Sequence, residues 1–158
     1  MARRDHRRVR RGTSGDIELR LPREERTLVR DLVGQLRDLL VATTDDPSVR
    51  RLFPPAYPDD AERDTEYRVL VRDELLAHRL AELEVVDTTI DADGLDDEQA
   101  TAWMGVLNDL RLVLGTRLDV GEDLPDLDPE DPLGPAYAVY EYLGWLLSQM
   151  VDALSESL

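Results

Sequence analysis

The chain has 158 residues, 42% hydrophobic and 34% charged, with a net charge of -16; that is enough for one domain with a core of its own. It contains no cysteine, which excludes disulfides, thiol catalysis, thiolate metal sites and thiol redox sensing within these residues. No apolar run is long enough to span a bilayer, and the basic N-terminus lacks the apolar stretch of a secretory signal, so a cytoplasmic location without a membrane partner is expected.

All 19 basic residues are arginine, a usage that GC-rich coding explains without further function. Residues 1–79 carry 17 arginines against 16 acids, whereas residues 80–158 carry only Arg111 and Arg117 against 19 acids. Such an acidic half repels phosphates and suits a basic protein surface; solubility is the plainer reason for the same charge.

Residues 1–15 read as a basic flexible tail closed by a Gly/Ser/Thr breaker. Its arginines Arg3, Arg4, Arg7, Arg8, Arg10 and Arg11 are candidates for weak contact with DNA backbone or an acidic protein surface, the alternative being a solvated tail that folds back on the acidic half. Residues 16–158 read as a single helical domain. Ile17, Leu19 and Leu21 alternate with Glu18 and Arg20, the period of a short strand. Its expected partner is the β-like stretch 85–90, giving a small two-strand element. Pro22 opens a first helix over 22–42, with Glu24 and Glu25 in the turn where the helix dipole favours acids. Leu28, Leu32, Leu36 and Leu39 form its stripe, widened by Val29, Val33 and Leu40. Asp45 or Asp46 caps a short helix that ends before the Pro54-Pro55 pair.

The proline-rich connector 53–60 leads to a helix over 61–86. Its core stripe is expected at Tyr67, Leu70, Val71, Leu75, His78 or Arg79, and Leu83. His78 reads as a surface or packed residue. The run Asp91-Ala-Asp93-Gly94 fails as a calcium loop, because Thr89 and Ala100 would fall at the first and closing ligand positions. Asp96 or Asp97 caps the helix 97–117, helped by Glu98 or Gln99. That helix places Asn108, Asp109 and Arg111 inside an apolar run. Arg111 falls beside the core and needs a carboxylate or carbonyl, such as Asp38 or Asp73, unless it belongs to a small polar recognition site. Gly115 is expected to end or loosen the helix. Residues 119–132 form an acidic loop with seven acids and no base. The final helix, 135–154, is apolar nearly all round, so it is either central or an interface, and a homodimer stays open.

Catalysis needs a poised base, an activated nucleophile or a metal. The histidines are His6 and His78, there is no lysine, and no phosphate loop, nucleophile elbow or HExxH motif occurs. A non-enzyme without cofactor or metal is expected. An enzyme using carboxylates and a divalent cation is the minor alternative.

The blocks EERTLVRDLVGQLRDLL, AWMGVLNDLRLVLGTRL and AVYEYLGWLL, taken together, resemble the actinobacterial AosR family of oxidative-stress transcriptional regulators, formerly a domain of unknown function. The likeness spans most of the chain and is strongest over residues 102–118. It implies a regulator of transcription that contacts a stress σ factor of RNA polymerase and switches through a CxxxC disulfide; this chain departs from that pattern in having no cysteine. The positions carried over are Trp103, Asn108, Asp109, Arg111, Gly115 and Arg117, as a protein-binding or structural polar cluster. The expected fold is a mainly α bundle of four main helices and one short one. The alternative function is an adaptor or assembly factor in proteolysis, also non-enzymatic.

Overall fold

A computed structural model describes the backbone of residues 7–42, 47–50, 52–53, 61–118, 130 and 132–156, and the side chains of all these except 50, 61–65 and 67–71. The Pro-rich connector beyond Phe53, Arg3, Arg4 and nearly all of the acidic loop lie outside the described residues. Among those described, the elements are β1 (Val9–Arg11), β2 (Ile17–Leu19), α1 (Arg23–Val41), α2 (Pro47–Arg50), α3 (Ala61–Thr89), β3 (Gly94–Leu95), α4 (Asp97–Arg117) and α5 (Gly134–Ser155). The mainly α expectation holds, with the bundle accompanied by a small antiparallel sheet in the order β1-β2-β3.

That sheet corrects two readings. The stretch 85–90 is not the partner of β2, because residues 85–89 are the last turn and more of α3. Its β-branched residues favour strands by propensity, but Leu83, Val86 and Ile90 are buried at helical spacing. Thr89 Oγ1 also donates to Val85 O at 2.6 Å, a bond between residues one helical turn apart. The true partners of β2 are β1 and β3, in the registers Val9↔Leu19 and Ile17↔Leu95. So part of the expected tail is a strand. Val9 is the one apolar residue of β1, and pairing with β2 takes it into the core at 2% exposure. Gly12 N donates to Asp16 O, and Gly15 turns the hairpin with φ +93°, a backbone that L side chains rarely adopt.

Helix α1 buries Val29, Val33, Leu36 and Leu40, with Leu32 and Leu39 half-buried beside them, so its inward face is rotated slightly from the expected stripe. Arg26 locks its first turns to the sheet: Nε donates to Leu21 O at 2.8 Å, and one terminal nitrogen to Ile90 O and Ala92 O. Arg37 pairs with Asp87 across to α3. On α3 the described core residues are Leu83 and Val86, with Leu76 and Leu80 half-buried, while His78 faces solvent.

Helix α4 has the expected bounds, and its cap is resolved as Asp96 with Gln99. Gln99 N donates to the Asp96 carboxylate at 2.7 Å and Asp96 N to the Gln99 side-chain oxygen at 3.0 Å. It packs between α3 and α5 and crosses α2 as well. Helix α5 turns Leu143, Leu146, Met150 and Ala153 inward. Tyr137 Oη bonds the Leu118 carbonyl at 3.0 Å, tying the start of α5 to the end of α4. Trp145 and Val151 are exposed, so α5 is a central helix with an apolar outer edge.

Candidate functional site

The block singled out by sequence divides over three faces of α4. Trp103 points into the core at 0% exposure, where its indole Nε1 donates to Thr89 Oγ1 at 2.7 Å. This pins the C-terminal end of α3 against α4. Asp109 is the buried acid of the helix. Its partner is Arg79 of α3, whose terminal nitrogen reaches Asp109 Oδ1 at 2.5 Å. The other terminal nitrogen donates to Leu52 O, and the guanidinium lies 5.6 Å from the Phe53 ring centroid. Burial raises the Asp109 carboxyl above the ordinary aspartate range, and the Arg79 hydrogen bond only partly offsets it.

Next to this pair is Glu82, with the His78 imidazole Nε2 3.4 Å from its carboxylate. Gly105 of α4 leaves the space that the Glu82 carboxylate fills, since a Cβ there would collide with it. Burial pushes the Glu82 carboxyl up, opposed by His78 and reinforced by the Asp109 charge. Sequence reasoning missed this cluster. Arg79 and Asp109 are 30 residues apart, and nothing in either local pattern links them.

A carboxyl raised in the folded state is stabilising relative to the unfolded chain below its unfolded value, about 4.3 for glutamate. That advantage is lost as pH rises through the folded value. Glu82→Gln should therefore raise the melting temperature at pH 8 and leave it little changed near pH 4. Thermal unfolding by circular dichroism at both pH values checks this, and an equal change at both would remove the burial argument.

Arg111 lies at the seam of α4 with α5, and Asn108, one turn earlier on α4, is exposed. The expected bond from Arg111 to Asp38 or Asp73 is absent. Instead its guanidinium lies over the Tyr140 ring, 4.8 Å from the centroid, and its Nε is enclosed without an acceptor among the described residues. Two glycines shape the seam. A Cβ on Gly144 would stand 3.0 Å from Arg111 Nε, and one on Gly115 would stand 3.2 Å from the Tyr140 ring. Gly115 is thus a close-packing residue and does not end the helix, which continues to Arg117. Arg117 points elsewhere, with Nε 3.3 Å from the buried Ser48 Oγ of α2.

The described N-terminal arginines are largely engaged by the body. Arg8 Nε donates to both carboxylate oxygens of Glu25 of α1 at 3.1 Å, with Nη2 3.0 Å from Oε2, and the guanidinium faces the Trp145 ring, while its amide and that of Val9 donate to Gln149. Burial and the Glu25 carboxylate raise the Tyr142 phenol beside it. Arg10 pairs with Glu18 at 2.7 Å, and Arg11 with Asp97 at 2.7 Å and Ala153 O at 3.1 Å. Arg7 is exposed. The short hairpin and its packing explain the difference from a solvated tail: Arg10 faces Glu18 across the strand pair, and Arg8 and Arg11 reach acids of α1 and α4.

Among the described residues no group of three or more His, Asp or Glu side chains is arranged to hold a metal ion, and no helix is long and apolar enough to cross a membrane. An apolar pocket of about 60 Å³ between α1, α4 and α5 is lined by Leu32, Leu36, Leu39, Leu110, Val113 and Leu143.

Residues 3–154 match the model of a family described as a domain of unknown function, DUF2017. The chain is similar to a protein named oxidative stress regulator AosR in Mycobacterium tuberculosis and in Mycobacterium bovis, at 35% identity over 130 residues, covering 71% of this chain and 60% of the relative. It is 34% identical over 128 residues to a putative oxidative stress regulator AosR of Mycobacterium leprae, covering 70% and 59%. The chain thus spans about 60% of the length of these curated relatives. No solved structure matches it.

Proposed function

The chain belongs to the DUF2017 family, the family of the AosR proteins, and on that premise we propose that it is a non-catalytic, protein-binding regulatory domain whose partner is a stress σ factor or another component of the transcription apparatus. The regulatory half of this reading is supported by the names of its mycobacterial relatives. The observation that carries the protein-binding half is electrostatic. Residues 80–158 hold 19 acids; Asp96 and Glu98 are exposed at the start of α4, and the exposed Asp91, Asp93 and Asp97 beside them each have an arginine of the same chain within 4.0 Å. A surface of this sign attracts a basic protein face and repels nucleic acid.

DNA contact through the N-terminal arginines is the weaker part of the proposal, because Arg8, Arg10 and Arg11 already neutralise acids of the same chain. A tagged full chain used for capture from mycobacterial lysate, at low and moderate salt, tests the reading. Recovery of RNA polymerase or a σ factor that falls as salt screens the contact is expected. Recovery of protease or chaperone components alone, or of the bait alone, overturns it and, in the former case, points to an adaptor in proteolysis.

A further inference from the structure

The half-buried guanidinium of Arg111 differs from four other arginines of the α-helical body; the exposed Arg72 likewise rests on a ring, that of Phe53. Arg26, Arg30, Arg37 and Arg79 are each bonded to a carbonyl or carboxylate. Arg111 makes no ion pair and no hydrogen bond among the described residues, although the chain holds 35 acids. A half-buried guanidinium left in this state costs stability.

The site is nevertheless built. Tyr140 supports one face of the guanidinium by a cation–π contact, and Gly144 leaves room for its plane where any side chain would crowd Nε. Nε is enclosed, so the hydrogen-bonding capacity still open is that of the two terminal nitrogens, which is the edge that grips a carboxylate with two parallel bonds. One turn back on the same helix, Asn108 is exposed and has no bond among the described residues. Its amide offers one donor group and one acceptor, the complement of a peptide unit. Residues three apart on a helix are neighbours.

We propose that Asn108 and Arg111, backed by Tyr140 and Gly144, form a docking site for an aspartate or glutamate residue of a protein partner. Arg111 holds the carboxylate and Asn108 the peptide group of the same residue. The assignment rests on the protein-binding reading above. It adds register: a partner whose face is basic overall, with one acid opposite Arg111, would be told apart from one that is basic throughout, which leaves Arg111 facing like charge.

The test is side-chain NMR on the isotopically labelled full chain, following the Arg111 Nε–Hε and Asn108 Nδ2 signals. The probes are N-acetyl-glutamate N′-methylamide, its glutamine counterpart and free glutarate. The capped glutamate should shift both signals saturably, with a dissociation constant on the order of millimolar. The glutamine probe should bind at least ~10-fold more weakly, because it lacks the charge that strengthens the bidentate bonds. Arg111→Lys, which keeps the charge but loses the fork, should weaken the capped glutamate several-fold, and Asn108→Ala should reduce it to the level of glutarate. No localised shift in the wild type, or an Asn108 Nδ2 shift that saturates equally in Arg111→Lys, overturns the site. Glutarate binding as tightly as the capped residue overturns the assignment to a peptide acid in favour of a small carboxylic acid.

The capture experiment repeated with Arg111→Lys separates the two ideas. Equal recovery of the partner by wild type and variant overturns the site and leaves the regulatory reading standing. A partner lost from the variant supports both. If neither captures a partner, the regulatory reading falls and the NMR titration alone decides the site.

Discussion

Trp103→Ala should remove most of the stability of the domain. The side chain is fully buried in the main core, among residues of α1, α3, α4 and α5. Truncating a large buried aromatic typically costs about 3–5 kcal/mol, the lost transfer energy plus the cavity left behind. Domains of this size are stable by only ~5–15 kcal/mol. The indole also carries a hydrogen bond that alanine cannot make. Its Nε1 donates to Thr89 Oγ1, and the same hydroxyl donates to Val85 O, so the last turn of α3 and the middle of α4 are joined through one oxygen. Trp103→Phe separates the two contributions. It keeps most of the apolar volume and loses the bond, which should cost about 1 kcal/mol plus a modest packing term. Urea unfolding followed by far-ultraviolet circular dichroism reads both. A Trp103→Ala midpoint within error of the Trp103→Phe midpoint would mean that the core closes over the gap and that the indole is not its keystone.

Arg79→Met should be nearly as damaging, for a different reason. The variant keeps much of the stem that packs near Phe53 but leaves Asp109 charged, at 6% side-chain exposure, with no cation beside it. Breaking a buried pair from one side costs about 3–5 kcal/mol, because the remaining charge is uncompensated. It also frees the Leu52 carbonyl that Arg79 binds, loosening the chain after α2. The loss should depend on pH. With Arg79 gone, the already raised Asp109 carboxyl rises further, so the folded state takes up a proton more readily than the unfolded chain. The damage then shrinks as pH falls toward the unfolded aspartate value of about 3.9 and is largest at neutral pH. Adding Asp109→Asn to Arg79→Met should recover a substantial part of the stability, and the four-member mutant cycle measures the coupling. A double variant no better than Arg79→Met would show that the cost lies in the Leu52 and Phe53 contacts.

The neighbouring acid Glu82 makes this region sensitive to acidity from two carboxylates at once. It lies near His78 of its own helix and Asp109 of α4, with its carboxylate filling the space that Gly105 leaves. The polar cluster of α4 therefore has two sides with separate work. Asp109 and its α3 partners are structural, whereas Arg111 lies at the α5 seam and Asn108 is exposed one turn before it.

Much of this arrangement follows from the sequence alone, and the reason is locality. A stripe such as Val29, Val33, Leu36 and Leu40 recurs at the helical period, so burial of one face and helix formation are decided within a few turns. The same holds for the Asp96 and Gln99 cap, the proline at the start of α5, and the alternation Ile17-Glu18-Leu19. The family match spans residues 3–154, these helices included. Tertiary structure decided what depends on chain-distant partners. Strand β1 has a single apolar residue and becomes a strand only because its arginines and Val9 find β2 across the Gly15 turn. The β-branched run ending α3 is helical because Trp103 and the core hold it so. Asp109 is paired from α3, and Arg111 meets Tyr140 and not the expected Asp38 or Asp73, because helix orientation sets which side chains meet. Periodicity states which face of a helix is buried; it does not encode what the opposite helix presents to that face.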